Sequence, residues 1–360
     1  MLKLPAFDLS RLPKMPSLDA LRAKLPPVPA PGDLPGLDAA RAELAPALRD
    51  MLARLADLKP GAPGCEMHPR RGGAVEVAVP EGARFDEHTH QGPQGALGYR
   101  LYVPSGHAGR PMPLVVMLHG CTQSPEDFAA GTRMNEVAEE EGFLVAYPRQ
   151  TRSANAQKCW NWFDAAGQIR DRGEPALIAG LTRDVMRDFA VDPGRVYVAG
   201  LSAGGAAAAI LAQLYPDLYA AAGVHSGLPA GAARDMPGAF AAMRGGGRDR
   251  PGRAVPTIVF HGDADHTVAP VNGEQVIVQA RGGATLAAEA TRGRSEGGLG
   301  YTRRVESDAA GLPMTEHWLL HGAGHAWSGG SAAGSYTEPR GPDASREMLR
   351  FFLRHRLAAA

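Results

Sequence analysis

Residues 197–209 read YVAGLSAGGAAAA, a hydrophobic run that passes through Gly200-Leu201-Ser202-Ala203-Gly204 into a series of small residues. An apolar strand followed at once by a small-residue helix predicts a sharp turn that lifts Ser202 out of a sheet. The other interpretation is an ordinary segment rich in glycine and alanine, since the chain contains 45 glycines. The sequence on either side of this stretch distinguishes the nucleophile turn from the ordinary small-residue segment.

Apolar runs of strand length alternate with helical patterns on both sides of Ser202. We predict strands in VEVAVP, LGYRLYVP, PLVVMLHG, FLVAYPR, RVYVAGLS, AAAGVHSG, VPTIVFHGD, TRRVES and EHWLLHG. We predict helices in SPEDFAAGTRMNEVAEEEG, with Ser124 as N-cap, in EPALIAGLTRDVMRDFA, in AGGAAAAILAQLYPDLY and in PDASREMLRFFLRH. Continuous apolar strands separated by helices indicate a mostly parallel sheet covered on both faces. The predicted class is therefore α/β.

The composition excludes several classes of protein. The 360 residues are 44% hydrophobic, and 38 Lys and Arg balance 38 Asp and Glu, so the net charge is zero. A neutral chain lacks the basic surface that nucleic-acid binding needs. No apolar run approaches the roughly 20 residues that span a bilayer. The N-terminus interrupts its apolar residues with prolines and charges, which is a poor secretory signal. We expect a cytoplasmic location by default, with export left open.

The first 70 residues differ in pattern from the rest. They are rich in proline, and their leucines recur at intervals of three, four and seven, which predicts an amphipathic helix. We expect a proline-rich N-terminal extension over residues 1–70 and one catalytic domain over 71–360. The helix is expected to pack on the main domain or form a homodimer contact, or else to contact a hydrophobic surface.

In such a sheet, reactive groups gather beyond the carboxyl ends of the strands. A serine hydroxyl needs a base, and the base needs an orienting acid, so both are expected at other strand ends. TIVFHG is followed by Asp263 and Asp265, and HWLLHG by His325. We predict Ser202, Asp265 and His325 as nucleophile, acid and base. Asp263 is the reserve acid, and His321 is the less favoured base because it lies at the strand end itself.

A developing oxyanion needs N–H donors close to the nucleophile. The helix that begins after Ser202 offers the N–H of Ala203. The strand VVMLHG runs into Cys121, where this arrangement supplies a second backbone donor. We therefore predict an oxyanion hole made by Cys121 and Ala203. His88 and His90 lie two residues apart with no further ligand in view, so no metal site is predicted.

Five motifs together resemble the poly(3-hydroxybutyrate) depolymerase family of esterases: MLHGCTQ, CWNWF, RVYVAGLSAGG, FHGDADHTV and HGAGHAWSGG. The resemblance covers about residues 75–356 and implies the α/β-hydrolase fold. It implies ester hydrolysis through an acyl-serine intermediate, without metal or organic cofactor, by Ser202, Asp265 and His325. It also implies a disulfide between Cys121 and Cys159 in an oxidising compartment, the alternative being two reduced cysteines.

The substrate pocket is the least constrained part of the site. Trp160, Trp162 and Trp327 are expected to form an apolar wall, with at least one of them structural. His119 and His225, at two strand ends, are expected to line the same pocket.

Two substrate classes remain open. The leading function is hydrolysis of poly(3-hydroxybutyrate)-like polymers, oligomers or short hydroxyacyl esters. The alternative is a carbohydrate esterase of the feruloyl or acetylxylan type, which would use the same triad. A binding protein of the same fold is disfavoured because no member of the triad is missing.

Overall fold

The computed structural model describes residues 75–247 and 252–358. The predictions made for residues 1–70 lie outside these residues. Ten strands of the described chain form one sheet in the order β1-β2-β4-β3-β5-β6-β7-β10-β9-β8. Their bounds are β1 Arg84–Gly92, β2 Gly95–Val103, β3 Met112–Leu118, β4 Leu144–Pro148, β5 Val191–Leu201, β6 Ala221–His225, β7 Thr257–Gly262, β8 Ala287–Arg294, β9 Gly300–Ser307 and β10 Pro313–Leu320.

The middle of the sheet is parallel and its two ends are antiparallel. Strands β4, β3, β5, β6, β7 and β10 run in one direction. Strands β1 and β2 at one end, and β9 and β8 at the other, continue the sheet antiparallel. A second, two-stranded sheet pairs β11 with β12, which span Trp327–Ser328 and Thr337–Glu338. The carboxyl ends of the parallel strands therefore share one edge, where the predicted catalytic residues follow β3, β5, β7 and β10.

Helices cover both faces of the sheet. Their bounds are α1 Pro125–Thr132, α2 Met134–Glu141, α3 Gly173–Asp188, α4 Ala203–Leu214, α5 Met236–Gly245, α6 Val271–Ala280 and α7 Ala344–Phe352. Along β3, Leu114, Val116 and Leu118 pack into one apolar layer with side chains of α3 and α4. Val115 and Met117 alternate into the opposite layer, which receives side chains of α1, α2 and α7. This two-sided burial explains why the parallel strands are almost continuously apolar.

Three local predictions differ from the structure. VEVAVP, residues 75–80, is not a strand. The strand that pairs with β2 at the edge of the sheet is β1, which was not predicted because most of its residues are polar. The helix predicted over residues 124–142 begins at the Ser124 cap, where the Asp127 N–H donates to Ser124 Oγ at 3.2 Å. It is divided into α1 and α2 because Arg133 adopts φ 55°. Strand β8 was not predicted, since all its residues are exposed and carry no apolar pattern.

None of the helices in the described part of the chain is both long enough and apolar enough to cross a membrane.

Candidate active site

Ser202 lies in the turn between β5 and α4 with φ 58° and ψ −120°. A serine rarely adopts positive φ, so the surrounding structure must hold this strained conformation. The Ser202 N–H donates to the His225 carbonyl at 2.9 Å, and the Ser202 carbonyl accepts the first helical hydrogen bond, from Ala206. Its side chain is half-buried rather than enclosed. The turn therefore presents a hydroxyl at the edge of the sheet.

Two glycines allow this turn to pack closely. A Cβ on Gly204 would overlap the Leu118 carbonyl, and a Cβ on Gly200 would overlap the Gly204 backbone. Only hydrogen fits at either position. The spacing Gly-x-Ser-x-Gly is thus explained here by close approach of backbone to backbone, and not by composition.

Asp265 and His325 meet in the loops that follow β7 and β10. Asp265 Oδ2 lies 2.7 Å from His325 Nδ1, and Asp265 Oδ1 accepts the N–H groups of Thr267 and Val268, each at 2.9 Å. The Asp265 side chain is fully buried and that of His325 is 11% exposed. A carboxylate only accepts hydrogen bonds, so Nδ1 carries the proton and Nε2 is left as the basic nitrogen.

Asp265 is held as a carboxylate. Its burial alone would raise the pKa, but the hydrogen bond from His325 and the nearby imidazoles of His325 and His261 keep the pKa of Asp265 below its usual value. His261 Nε2 lies 3.5 Å from Asp265 Oδ2 and also donates to the Val268 carbonyl at 2.9 Å. A buried negative charge beside His325 orients the imidazole and stabilises the imidazolium that forms when it takes a proton.

The reserve residues pair with each other, away from Asp265. His321 Nδ1 lies 2.9 Å from Asp263 Oδ2, and the Gly322 N–H donates to Asp263 Oδ1 at 2.7 Å. Both side chains are exposed, His321 by 42% and Asp263 by 38%. This pair braces the turn after β10. The buried pair is Asp265 with His325, and the surface pair is Asp263 with His321.

His225 connects the serine turn to the histidine loop. Its carbonyl accepts the Ser202 N–H, its Nε2 accepts the Ser328 N–H at 3.0 Å, and its ring stacks on Trp327 at 5.1 Å. The side chain is completely buried, and burial lowers its pKa well below the ordinary value. His225 is therefore not a lining residue of an open pocket, as the sequence suggested. It is a neutral buried ring that ties together the segments carrying Ser202 and His325.

The loop after β3 leaves one N–H available next to Ser202. The Gly120 N–H donates to Gln123 Oε1 at 2.9 Å, and the Thr122 N–H to the Gln157 carbonyl at 2.6 Å. A Cβ on Gly120 would lie 3.6 Å from that of Ser202. Within the described residues, the Cys121 N–H has no such partner. The Ala203 N–H precedes the first hydrogen-bonded turn of α4 and is likewise not used inside the helix.

Cross-links hold this loop in place. Cys121 and Cys159 are joined by a disulfide. Gln123 Nε2 donates to Asp127 Oδ2 at 3.0 Å and to the Ser335 carbonyl at 3.1 Å. Sequence reasoning missed Gln123, although it follows Cys121-Thr122 directly, because its partner lies in the loop after His325, 212 residues further on. The loop is thus fixed from three directions around the Cys121 N–H.

The tryptophans and His119 lie in the core and not along an open cleft. Trp160 is fully buried and its Nε1 donates to the His119 carbonyl at 3.1 Å. His119 is fully buried too: its Nδ1 bonds the Gly120 carbonyl at 2.8 Å and its Nε2 accepts the Gln150 N–H at 3.2 Å. Trp327 is 1% exposed and Trp162 is 7% exposed. The expected substrate-contacting wall is corrected to structural packing beneath the site.

A half-buried carboxylate anchors the CWNWF segment. Glu174 accepts the Asn161 N–H at 2.7 Å, the Asn161 side chain at 2.6 Å and the Gln150 side chain at 2.5 Å. Burial nevertheless raises its pKa. No pattern in the sequence predicts this role of Glu174.

His88 and His90 each contact a different side chain. His90 Nδ1 lies 2.5 Å from Asp184 Oδ2, and the His88 ring stacks on Tyr99. In residues 75–247 and 252–358, no three His, Cys, Asp or Glu side chains are grouped as a metal ion requires.

The buried histidines predict loss of stability in mild acid. Burial lowers the pKa values of His119, His261 and His355 to about 4 from 6.5. Between pH 6.5 and 4 the unfolded chain therefore binds protons that the folded chain does not, so folding stability falls as the pH falls. We expect each of these histidines to lower the free energy of unfolding by about 2 kcal/mol at pH 5 relative to pH 7. Thermal unfolding at pH 7 and pH 5, at one ionic strength, should show a lower midpoint at pH 5; an equal midpoint would contradict the buried neutral rings.

Comparison with known proteins places the chain in a family. The family model for Esterase PHB depolymerase matches residues 97–298, more than half of the sequence. Poly(3-hydroxyalkanoate) depolymerase C of Paucimonas lemoignei is 33% identical over 246 residues, covering 64% of this chain and 58% of that protein. A probable acetylxylan esterase A of Aspergillus fumigatus is 34% identical over 140 residues, 39% of this chain and 36% of that protein. The chain thus matches between about a third and three fifths of these relatives.

A solved structure shows the fold. The acetyl xylan esterase from Aspergillus awamori superposes with a TM-score of 0.58 at 21% identity, over 75% of this chain and 99% of that one. The predicted α/β-hydrolase fold is thereby confirmed. With the family match over residues 97–298, this chain belongs to the Esterase PHB depolymerase family.

Proposed function

We propose that this chain is a serine esterase acting on poly(3-hydroxybutyrate)-like polymers, oligomers or short hydroxyacyl esters. The observation that carries the proposal is the buried Asp265–His325 pair, 2.7 Å apart, at the same sheet edge as the strained Ser202 turn. The family and the depolymerase of Paucimonas lemoignei support the ester class.

The acylation step follows from the roles of these groups. His325 Nε2 takes the proton of Ser202 Oγ as the oxygen attacks the ester carbonyl carbon, and the carbonyl oxygen becomes an oxyanion. The Cys121 and Ala203 N–H groups donate to that oxyanion. As the intermediate collapses, the bond to the leaving alkoxide breaks and the His325 imidazolium returns the proton to it. The products are the acyl-serine and a free alcohol.

Deacylation repeats the sequence with water. His325 Nε2 takes a proton from water, and the hydroxide adds to the acyl-serine carbonyl. Collapse breaks the bond to Ser202 Oγ, which recovers the proton from His325. A carboxylic acid leaves and ionises at neutral pH. Asp265 remains a carboxylate throughout, and its charge stabilises the imidazolium in both halves.

A carbohydrate esterase is the second candidate. The acetylxylan esterase and feruloyl esterase relatives, 34% and 33% identical over 140 and 141 residues, favour it. Both activities need the same triad, so the acyl and alcohol parts of the substrate distinguish them.

Initial rates on a soluble 3-hydroxybutyrate oligomer and on methyl ferulate and acetylated xylan test the proposal, with Ser202→Ala protein as blank. We expect kcat/KM for the oligomer to exceed that for either plant ester by tenfold or more. The reverse order would assign the chain to the carbohydrate esterases. No Ser202-dependent hydrolysis of any of them would remove the esterase proposal.

We further propose that the chain works in an oxidising compartment, since the Cys121–Cys159 disulfide persists only there in most organisms. Because the disulfide fixes the residue whose N–H binds the oxyanion, dithiothreitol is expected to lower kcat several-fold. A Cys121→Ser/Cys159→Ser double variant should start at the lowered rate and not respond to dithiothreitol. Equal kcat with and without the bond would show that the other contacts of the loop suffice.

A further inference from the structure

Lys158 has an unusual place in the catalytic segment. It is the only lysine after Lys59, although arginine is frequent throughout the chain. It directly precedes the disulfide-bonded Cys159 and adopts φ 53°. Its Nζ donates to the Gln123 carbonyl at 3.1 Å. The flexible stem is therefore folded back onto the loop that carries the proposed oxyanion donor.

This contact attaches the ammonium group to the loop that packs against the nucleophile. The Gln123 N–H donates to the Gly120 carbonyl at 3.3 Å, so the two residues close one tight turn. Gly120 in turn packs against Ser202, where a Cβ would lie 3.6 Å from that of Ser202. The Lys158 ammonium is thus bound to the Gln123 end of a turn whose other end, Gly120, packs against Ser202. An ammonium has three N–H donors, and the Gln123 carbonyl takes one of them.

The positive charge of Lys158 has no ion-pair partner of its own among the described residues. Arg149 is paired with Glu126 at 2.7 Å. Arg152 is exposed, and neither it nor Lys158 forms an ion pair with any side chain in the described residues. Burial lowers the pKa of Lys158, and the charges of Arg152 and Arg149 lower it further; the carboxylates of Asp127 and Glu126 oppose this shift without cancelling it. A half-buried cation beside a second cation gains most from an anionic ligand.

We propose that Lys158, assisted by Arg152, forms a subsite for the free carboxylate of a hydroxyacyl oligomer. The inference rests on the proposed esterase function and narrows its substrate class. A hydroxyacid oligomer carries a carboxylate at one end, whereas an acetyl or feruloyl ester of a neutral sugar carries none. The remaining N–H groups of Lys158 and the Arg152 guanidinium supply donors and charge for that carboxylate. The subsite would favour short chains whose free acid end lies near the scissile ester.

The test compares one oligomer in two forms. Rates are measured on the 3-hydroxybutyrate trimer as the free carboxylate and as its methyl ester, with wild-type, Lys158→Met, Lys158→Arg and Arg292→Met proteins. We expect wild-type kcat/KM to be five- to tenfold higher for the carboxylate, and this ratio to fall in 0.5 M NaCl as the charges are screened. Lys158→Met should bring the ratio close to one, and Lys158→Arg should restore most of it. Arg292, exposed on the edge strand β8, is the matched loss of one cation and should leave both rates unchanged.

Each outcome decides a different claim. A wild-type protein that hydrolyses both forms equally well would overturn the carboxylate subsite and leave the esterase intact. Equal losses on both substrates in Lys158→Met would show that Lys158 only supports the loop, which also overturns the subsite. A wild-type protein that hydrolyses neither form, nor any other ester, would overturn the proposed function and this inference with it.

Discussion

Replacing Ser202 with alanine is expected to lower kcat for ester hydrolysis by about 10⁵- to 10⁶-fold. The variant keeps the buried Asp265–His325 pair and both N–H donors but has no oxygen to form the acyl intermediate. The remaining rate would come from water activated by His325 beside the oxyanion hole. Single-turnover and steady-state rates on the hydroxybutyrate oligomer measure the loss.

A matched serine variant separates chemistry from folding. Ser153 is exposed in a loop and bonds only the Thr151 hydroxyl among the described residues, at 2.9 Å, so Ser153→Ala should retain full activity. Circular dichroism and the thermal midpoint should be close to wild type for both variants. Turnover by Ser202→Ala within tenfold of wild type, in a preparation free of contaminating esterase, would remove Ser202 from the mechanism.

The arrangement of the central sheet was predictable because its physics is local. Strands β3 to β7 are buried on both faces along most of their length, so they are mostly apolar, and glycine or a polar residue marks each carboxyl end. The outer strands follow a different rule. β1 and β8 expose one or both faces, carry polar residues at most positions, and are defined by hydrogen bonds to a neighbouring strand. No pattern within their own sequence specifies that pairing.

The sequence likewise specifies the triad better than it specifies the substrate pocket. Strand ends and chain order, which a sequence contains, predict Ser202, Asp265 and His325 as the triad. Whether Trp160 or Trp327 is a pocket wall or core depends on distant residues, such as the Ser345 hydroxyl that accepts the Trp327 Nε1 proton at 3.2 Å. An aromatic side chain near a catalytic residue has the same local signature in both cases. The contacts of the tertiary structure decide between them.

The second large effect on kcat is expected at Asp265, and not at the neighbouring Asp263. Asp265→Asn is expected to lower kcat by about 10⁴-fold. An asparagine can turn its NH₂ towards His325 Nδ1, which would then accept a hydrogen bond and leave the proton on Nε2, the nitrogen that must act as base. Because the Asp265 side chain is fully buried, bulk solvent cannot replace the lost charge, so the imidazolium also loses its stabilisation.

Asp263→Asn is the matched control, because it makes the same change two residues away in an Asp–His pair of similar length, 2.9 Å against 2.7 Å. Its carboxylate and His321 are exposed, so solvent replaces the lost interaction and kcat should fall by less than tenfold. The pH–rate profiles provide a second readout: the profile should change in Asp265→Asn and match that of the wild type in Asp263→Asn. If Asp263→Asn were the more damaging of the two, the surface pair would be the catalytic one, and the burial of Asp265 would be structural.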